Sequence, residues 1–189
     1  MNSRFSRFFE LAGVFAICGV SGAHAAQFTD VNTTASTISF TYNQMGSKVY
    51  GTFDTFKGVL DFDTADPAGA HAELTIDLKS IRVDDSDARA ELPKPAWFDT
   101  ATYPTASFES TRVKDHGNDR YLITGNLTLR GLTREVDVPV LLKAQDGVGI
   151  FVGELVLKRD DFKIGDGEWA DSVVSNEINI QFRMVAPQR

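Results

Sequence analysis

The sequence predicts an all-β protein, an antiparallel sheet of eight or nine strands closed into a barrel, and three features of the chain predict it. Apolar residues recur at every second position through most of the chain after residue 36, the pattern of strands with one buried and one solvated face. Turn signals separate these runs, among them "DPAG" (66–69), "DHGNDR" (115–120), "RGLTR" (130–134) and "QDGVG" (145–149). Gly51 and Gly58 interrupt the stretch "SKVYGTFDTFKGVLDFD"; glycines inside strands are expected to mark bends or bulges that let a sheet curl, which favours a barrel over a flat sandwich.

The chain opens with something other than fold. Arg4 and Arg7 precede a mostly apolar run from Leu11 to Val20, and Ala23-His24-Ala25 supplies a small-residue cleavage signature, so residues 1–25 are expected to be a signal peptide cut after Ala25. The run is about half the ~20 residues a membrane-spanning helix needs. Residues 26–189 then form one domain.

Within that domain, Ile38, Phe40 and Tyr42 alternate with Thr37, Ser39 and Thr41, and Leu74, Ile76 and Leu78 alternate with polar neighbours. The segment 84–92, "DDSDARAEL", breaks the period: helix formers follow acidic capping candidates and Pro93 and Pro95 stop them, which predicts a short helix near residues 85–92. Trp97 and Phe98 come down from that helix, and Tyr103-Pro104 turns the chain into a strand from Thr105 to Val113. Alternation returns in Ile123, Leu127 and Leu129, in Val136, Val138, Val140 and Leu142, and in Ile178, Ile180, Phe182 and Met184.

Composition narrows the chemistry. The formal net charge is −7 and no basic cluster with interleaved aromatics is present, so nucleic acid is not an expected partner. The only cysteine, Cys18, lies in the predicted signal peptide, which leaves the domain without a disulfide, a zinc–thiolate site or a thiol nucleophile. His71 and His116 stand beside turns, far apart in sequence, and read as solvated polar residues. The sequence holds no G-x-S-x-G, H-E-x-x-H or glycine-rich phosphate loop. Asp61, Asp63 and Asp66 resemble the start of a calcium loop, but Asp66 stands where the loop requires glycine and Ala72 where it requires glutamate. The acidic group Asp160, Asp161, Asp166, Glu168 and Asp171 reads as a solvated loop at the barrel rim. No catalytic residue and no metal site is expected.

Four ordered phrases carry a resemblance: "MGSKVYGTFDTFKGVLDFD" (45–63), "LKSIRV" followed by the helix and "WFDTATYPTASFEST" (78–111), "GNLTLRGLTREVDVPV" (125–140) and "LKRDDFKIGDGEW" (157–169). Together they are similar to the YceI-like family of secreted bacterial proteins. The resemblance implies an extended eight-stranded antiparallel barrel of lipocalin-like architecture that holds a long apolar molecule, such as a polyisoprenoid, an isoprenoid quinone or a fatty-acid derivative. It also implies a periplasmic location and no enzymatic activity. Where the family often has a histidine after its first strand this chain has Asn43, and where the family's helix often has Asp and His it has Arg89 and Glu91, so no polar role passes to those positions. "QMG" (44–46) and the ending at Trp169 resemble the branch whose relatives stand near or are fused to b561-type cytochromes, which implies a membrane cytochrome as a partner.

An eight-stranded barrel encloses room for one slender ligand, and strands of about ten residues at ~3.3 Å per residue give a lumen on the order of 25 Å long. The expected ligand wall is Phe40, Tyr42, Phe53, Ile76, Trp97, Phe98, Phe108, Val138, Ile180 and Phe182, with Arg, Lys, Asn and Trp side chains orienting a polar headgroup at the mouth. Besides a carrier for an isoprenoid lipid, the sequence leaves open a quinone-linked accessory of the cytochrome and an enzyme acting on a bound lipid through Arg159, Asp160 and Asp161. The architecture is compatible with a homodimer through a strand edge or the helix.

Overall fold

A computed structural model of the chain describes residues 25–165 and 173–189. The predicted signal peptide, apart from Ala25, lies outside them, as do Asp166, Glu168, Trp169 and Asp171.

Eleven strands form one sheet in which every pairing is antiparallel. They are β1 (Gln27–Thr29), β2 (Thr37–Gln44), β3 (Ser47–Phe53), β4 (Phe56–Asp63), β5 (His71–Asp77), β6 (Ile81–Val83), β7 (Thr105–Asp115), β8 (Arg120–Leu129), β9 (Leu132–Gln145), β10 (Val148–Lys158) and β11 (Glu177–Pro187). Their order in the sheet is β1-β4-β5-β7-β8-β9-β10-β11-β2-β3-β6. The sheet curls back on itself through β1, which pairs with β4 along one edge and bridges the end of β11 along the other, Phe28 opposite Gln188. Eight strands therefore go round that end, as expected, while β2, β3 and β6 extend the wall at the other end and bring the total to eleven.

Local chemistry explains the hairpins. Three of them turn on residue pairs with positive φ, Met45-Gly46, Arg130-Gly131 and Asp146-Gly147; such turns match the right-handed twist of the strands they join, and their second position favours glycine. The helix α1 (Ser86–Glu91) starts where the Asp85 carboxylate accepts from the backbone N–H groups of Asp87 and Ala88. Leu78, expected in a strand, instead opens a 3-10 turn (Leu78–Ser80) and is almost fully buried there.

The expected bulges at Gly51 and Gly58 are absent: both glycines sit in unbroken register, opposite Phe40 and Leu74. The register shift lies instead between Ser110 and Arg112. The space these glycines leave is used for packing, since the Phe40 ring lies over Gly51 and Val31 against Gly58.

Candidate ligand-binding site

Alternation places the apolar face of every long strand inside, and these faces leave a cavity of about 780 Å³, within the range of small-molecule sites. One end is plugged. Phe28, Phe62, Tyr121 and Phe151 fill it edge to face, with centroid separations of 4.9 Å for Phe62–Tyr121, 5.2 Å for Phe62–Phe151 and 5.6 Å for Phe28–Phe151, a geometry that sets the positive edge of one ring against the negative face of the next. The other end lies under α1 and the turn that follows, where Leu92, Trp97 and Phe98 close over the lumen. Trp97 and Phe98 pack against both neighbouring apolar clusters, one around Phe40, Tyr42 and Ile81 and one around Leu78, Leu129 and Phe162.

That turn is held from two sides. The Trp97 N–H donates to Lys94 O and the Phe98 N–H to Leu92 O, both at 2.9 Å. The Arg130 guanidinium donates to Pro95 O, and Tyr103 lies against Gly131. The Trp97 indole also lies against Gly165, whose N–H donates to Ala96 O at 2.7 Å.

The structure brings Phe40, Tyr42, Phe53, Ile76, Trp97, Phe98, Phe108, Val138, Ile180 and Phe182 to the wall of this one cavity. Periodicity places them there together with Ile38, Ala106, Ile123 and Val140. Three of the rings share a device that alternation does not reveal. Phe40, Phe108 and Phe182 lie over Gly51, Gly125 and Gly153 of adjacent strands, at positions where a Cβ would collide with the ring. Each ring is thereby kept along the wall and out of the lumen. Gly153→Ala tests this: its methyl would also stand 2.8 Å from Pro139 O, so a loss of roughly 1–3 kcal/mol in unfolding free energy is expected, with the Phe182 ring displaced inward. Chemical denaturation measures the first and a crystal structure of the variant the second; an unchanged midpoint would show that the ring has other room.

Polar groups are few among the lining residues: Gln44, Glu73, Asp87, Glu91, Lys158 and Arg159. Of the expected Arg, Lys, Asn and Trp set, Arg159, Lys158 and Trp97 line the cavity and, among the described residues, no asparagine does. Asn43 is exposed, and its backbone N–H donates to Ser175 Oγ at 3.0 Å. Arg89 donates to Val83 O and Glu91 pairs with Lys94. Arg159 is 4% exposed and is committed to the framework: it donates to Ile164 O at 3.0 Å, Gly165 O at 3.2 Å and Asp160 Oδ1 at 3.1 Å. Burial, and to a smaller extent the Asp85 carboxylate, push the Tyr42 phenol above its ordinary pKa, so it stays a neutral donor at the lumen wall, 3.4 Å from Gln44 Oε1.

Asp160 and Asp161 are exposed, as a solvated rim requires. Among the described residues, the outer face holds one grouping that sequence spacing hides: His71, Glu73 and Glu109 bring ligand atoms within 4.8 Å of one another, because the register sets Glu73 opposite Glu109 across β5 and β7. It lies on the solvent side of the wall.

Comparison with known proteins matches this arrangement. The model of the YceI-like domain covers residues 30–186. A UPF0312 protein of Pectobacterium atrosepticum is 32% identical over 162 residues, 82% of this chain and 84% of that one, and a UPF0312 protein of Photorhabdus laumondii is 35% identical over 131 residues, 68% of this chain and 66% of that one. The crystal structure of BcnA from Burkholderia cenocepacia superposes with a TM-score of 0.80 at 36% identity, covering 83% of this chain and 99% of that one. A polyisoprenoid binding domain from Saccharophagus degradans shares the fold, with a TM-score of 0.68 at 19% identity over 86% of this chain and 99% of that one. With the family model spanning the sheet from the end of β1 to β11, the chain belongs to the YceI-like domain family.

Proposed function

We propose that this protein is a periplasmic binding and carrier protein, without enzymatic activity, for a long apolar lipid of isoprenoid type, a polyisoprenoid, an isoprenoid quinone or a fatty-acid derivative held in the barrel lumen. The observation that carries the proposal is the cavity of about 780 Å³ whose wall is almost wholly aliphatic and aromatic. Each methylene taken from water into such a wall contributes roughly 0.8 kcal/mol, so a hydrocarbon chain binds there without a dedicated polar constellation. Among the few polar groups that line it are Gln44 and, on α1, the Asp87 and Glu91 carboxylates, and a headgroup would rest against these and the neutral Tyr42 phenol. The relative from Saccharophagus degradans, a polyisoprenoid binding domain, supports the ligand class.

Mass spectrometry of organic extracts tests this, on protein purified without detergent from the periplasm of its own host. A stoichiometric isoprenoid or quinone is expected. An empty protein that also takes up no such lipid in vitro overturns the reading.

A further inference from the structure

The barrel wall is not sealed along its length. The ladder between β9 and β10 runs from Gln145 opposite Val148 to Val140 opposite Gly153 and stops there, although β9 begins at Leu132 and β10 continues to Lys158. Beyond Val140, β9 is paired only with β8, and beyond Gly153, β10 is paired only with β11. Two strand edges thus face one another unpaired, across a cleft of about 410 Å³ lined by Val136, Asp137, Pro139, Glu154, Leu155 and Val156.

The residues at the lips oppose closure. Pro139 has no N–H to offer a ladder. Were the ladder continued, Asp137 and Glu154 would be diagonal neighbours across it, and like charges so placed destabilise pairing. Each carboxylate is tied to its own side instead: Asp137 Oδ1 accepts from Thr124 Oγ1 of β8 at 2.6 Å, and Glu154 accepts from Asn179 and Gln181 of β11.

Val136 and Leu155 line both this cleft and the lumen, so the two spaces are separated by no more than these side chains. On the outside Pro139 and Val156 are exposed, Val156 to 56%, so apolar side chains stand on both the inner and the outer side of the cleft. The aromatic plug stops one end of the lumen, and Leu92, Trp97 and Phe98 stand over the other. A long chain entering by an end must thread the whole lumen; one entering from the side does not.

Building on the lipid-binding reading, we propose that the slot between β9 and β10 is a side portal through which the hydrocarbon tail of the ligand passes into and out of the lumen. The slot would then control exchange rates and leave equilibrium affinity largely to the lumen wall.

Asp137 and Val156 would face one another if the ladder continued, and both are exposed, so a double variant Asp137→Cys/Val156→Cys in a Cys18→Ser background allows the slot to be closed with a short bis-maleimide or by oxidation. The probe is a benzoquinone with a geranylgeranyl tail, followed by its quenching of tryptophan emission as it transfers from the protein to phosphatidylcholine vesicles. Closing the slot is expected to slow transfer by about tenfold or more, as for an obstructed lid, with affinity changed by less than about twofold because most of the wall is untouched. The uncrosslinked double variant is the control for folding, and cleavage of the disulfide is expected to restore the fast rate. An unchanged rate in the closed form overturns the portal while leaving lipid binding intact. Closure that alters oligomeric state and not exchange would assign the edges to pairing between copies, and likewise overturn it. If no form takes up the quinone, a polyisoprenoid or a fatty-acid derivative, the lipid-binding reading falls, and the portal with it.

Discussion

Phe62→Ala is expected to lower the free energy of unfolding by roughly 3–5 kcal/mol, the usual cost of emptying a fully buried aromatic site. Phe62 is 1% exposed and stands at the centre of the plug, with Tyr121 and Phe151 edge-on against it and Phe28 and Ala186 in the same cluster. Its neighbours have little freedom to collapse into the space. Phe28 belongs to the three-residue strand that pairs with β4 and bridges the end of β11, and the ladder holds Phe62 opposite it. The measurement is a urea titration of wild type and variant; equal midpoints would mean that the plug does not stabilise closure. Phe62 is not part of the lumen wall whereas Phe151 is, so uptake of a short-tailed quinone by the folded variant is expected to persist.

Arg159→Met is expected to destabilise by a similar amount, about 3–5 kcal/mol, for a different reason. The substitution keeps the side chain's apolar stem and removes the guanidinium that satisfies Ile164 O, Gly165 O and, at 3.4 Å, Val174 O. Buried carbonyls left without a donor cost about 1–3 kcal/mol each. The same guanidinium lies 3.2 Å from where a Cβ on Gly165 would stand, beside the Trp97 indole, so the loss should loosen the helix-side cover of the lumen as well. Tryptophan emission shifting to the red before global unfolding would report this. Arg159→Lys should recover only part of the loss, because an ammonium cannot span three carbonyls held in the plane of a guanidinium. A midpoint within about 0.5 kcal/mol of wild type for the methionine variant would show that water takes over the guanidinium's role.

The inward face was legible in the sequence because an antiparallel sheet with one wet face must alternate. Ile38, Phe40 and Tyr42 are all buried, with Ser39 and Thr41 between them less so, and Val138, Val140 and Leu142 repeat the pattern. The helix was legible from its Asp cap and its closing prolines. Strands β1 and β6 were not: three residues are too few to show a period, and what makes them strands is the neighbour each pairs with, β4 for one and β3 for the other. Arg159 was hidden in another way. In "LKRDDF" the sequence offered it only beside Asp160 and Asp161 as a polar group that could act on a bound lipid, and it is the backbone carbonyls converging on it that make its burial tolerable.

The alternation in residues 37–184 determined by itself that the protein is an all-β barrel with an apolar interior, since side-chain periodicity is a local property of the chain. Tertiary structure alone decided what that interior is. Whether rings fill a lumen or line it depends on which residue lies across the ladder. Gly51, Gly125 and Gly153 are placed under Phe40, Phe108 and Phe182 by strand register, and register is a relation between strands that no single strand encodes. The split between β9 and β10 has the same origin: both are continuous strands through it, so the break exists only in the pairing.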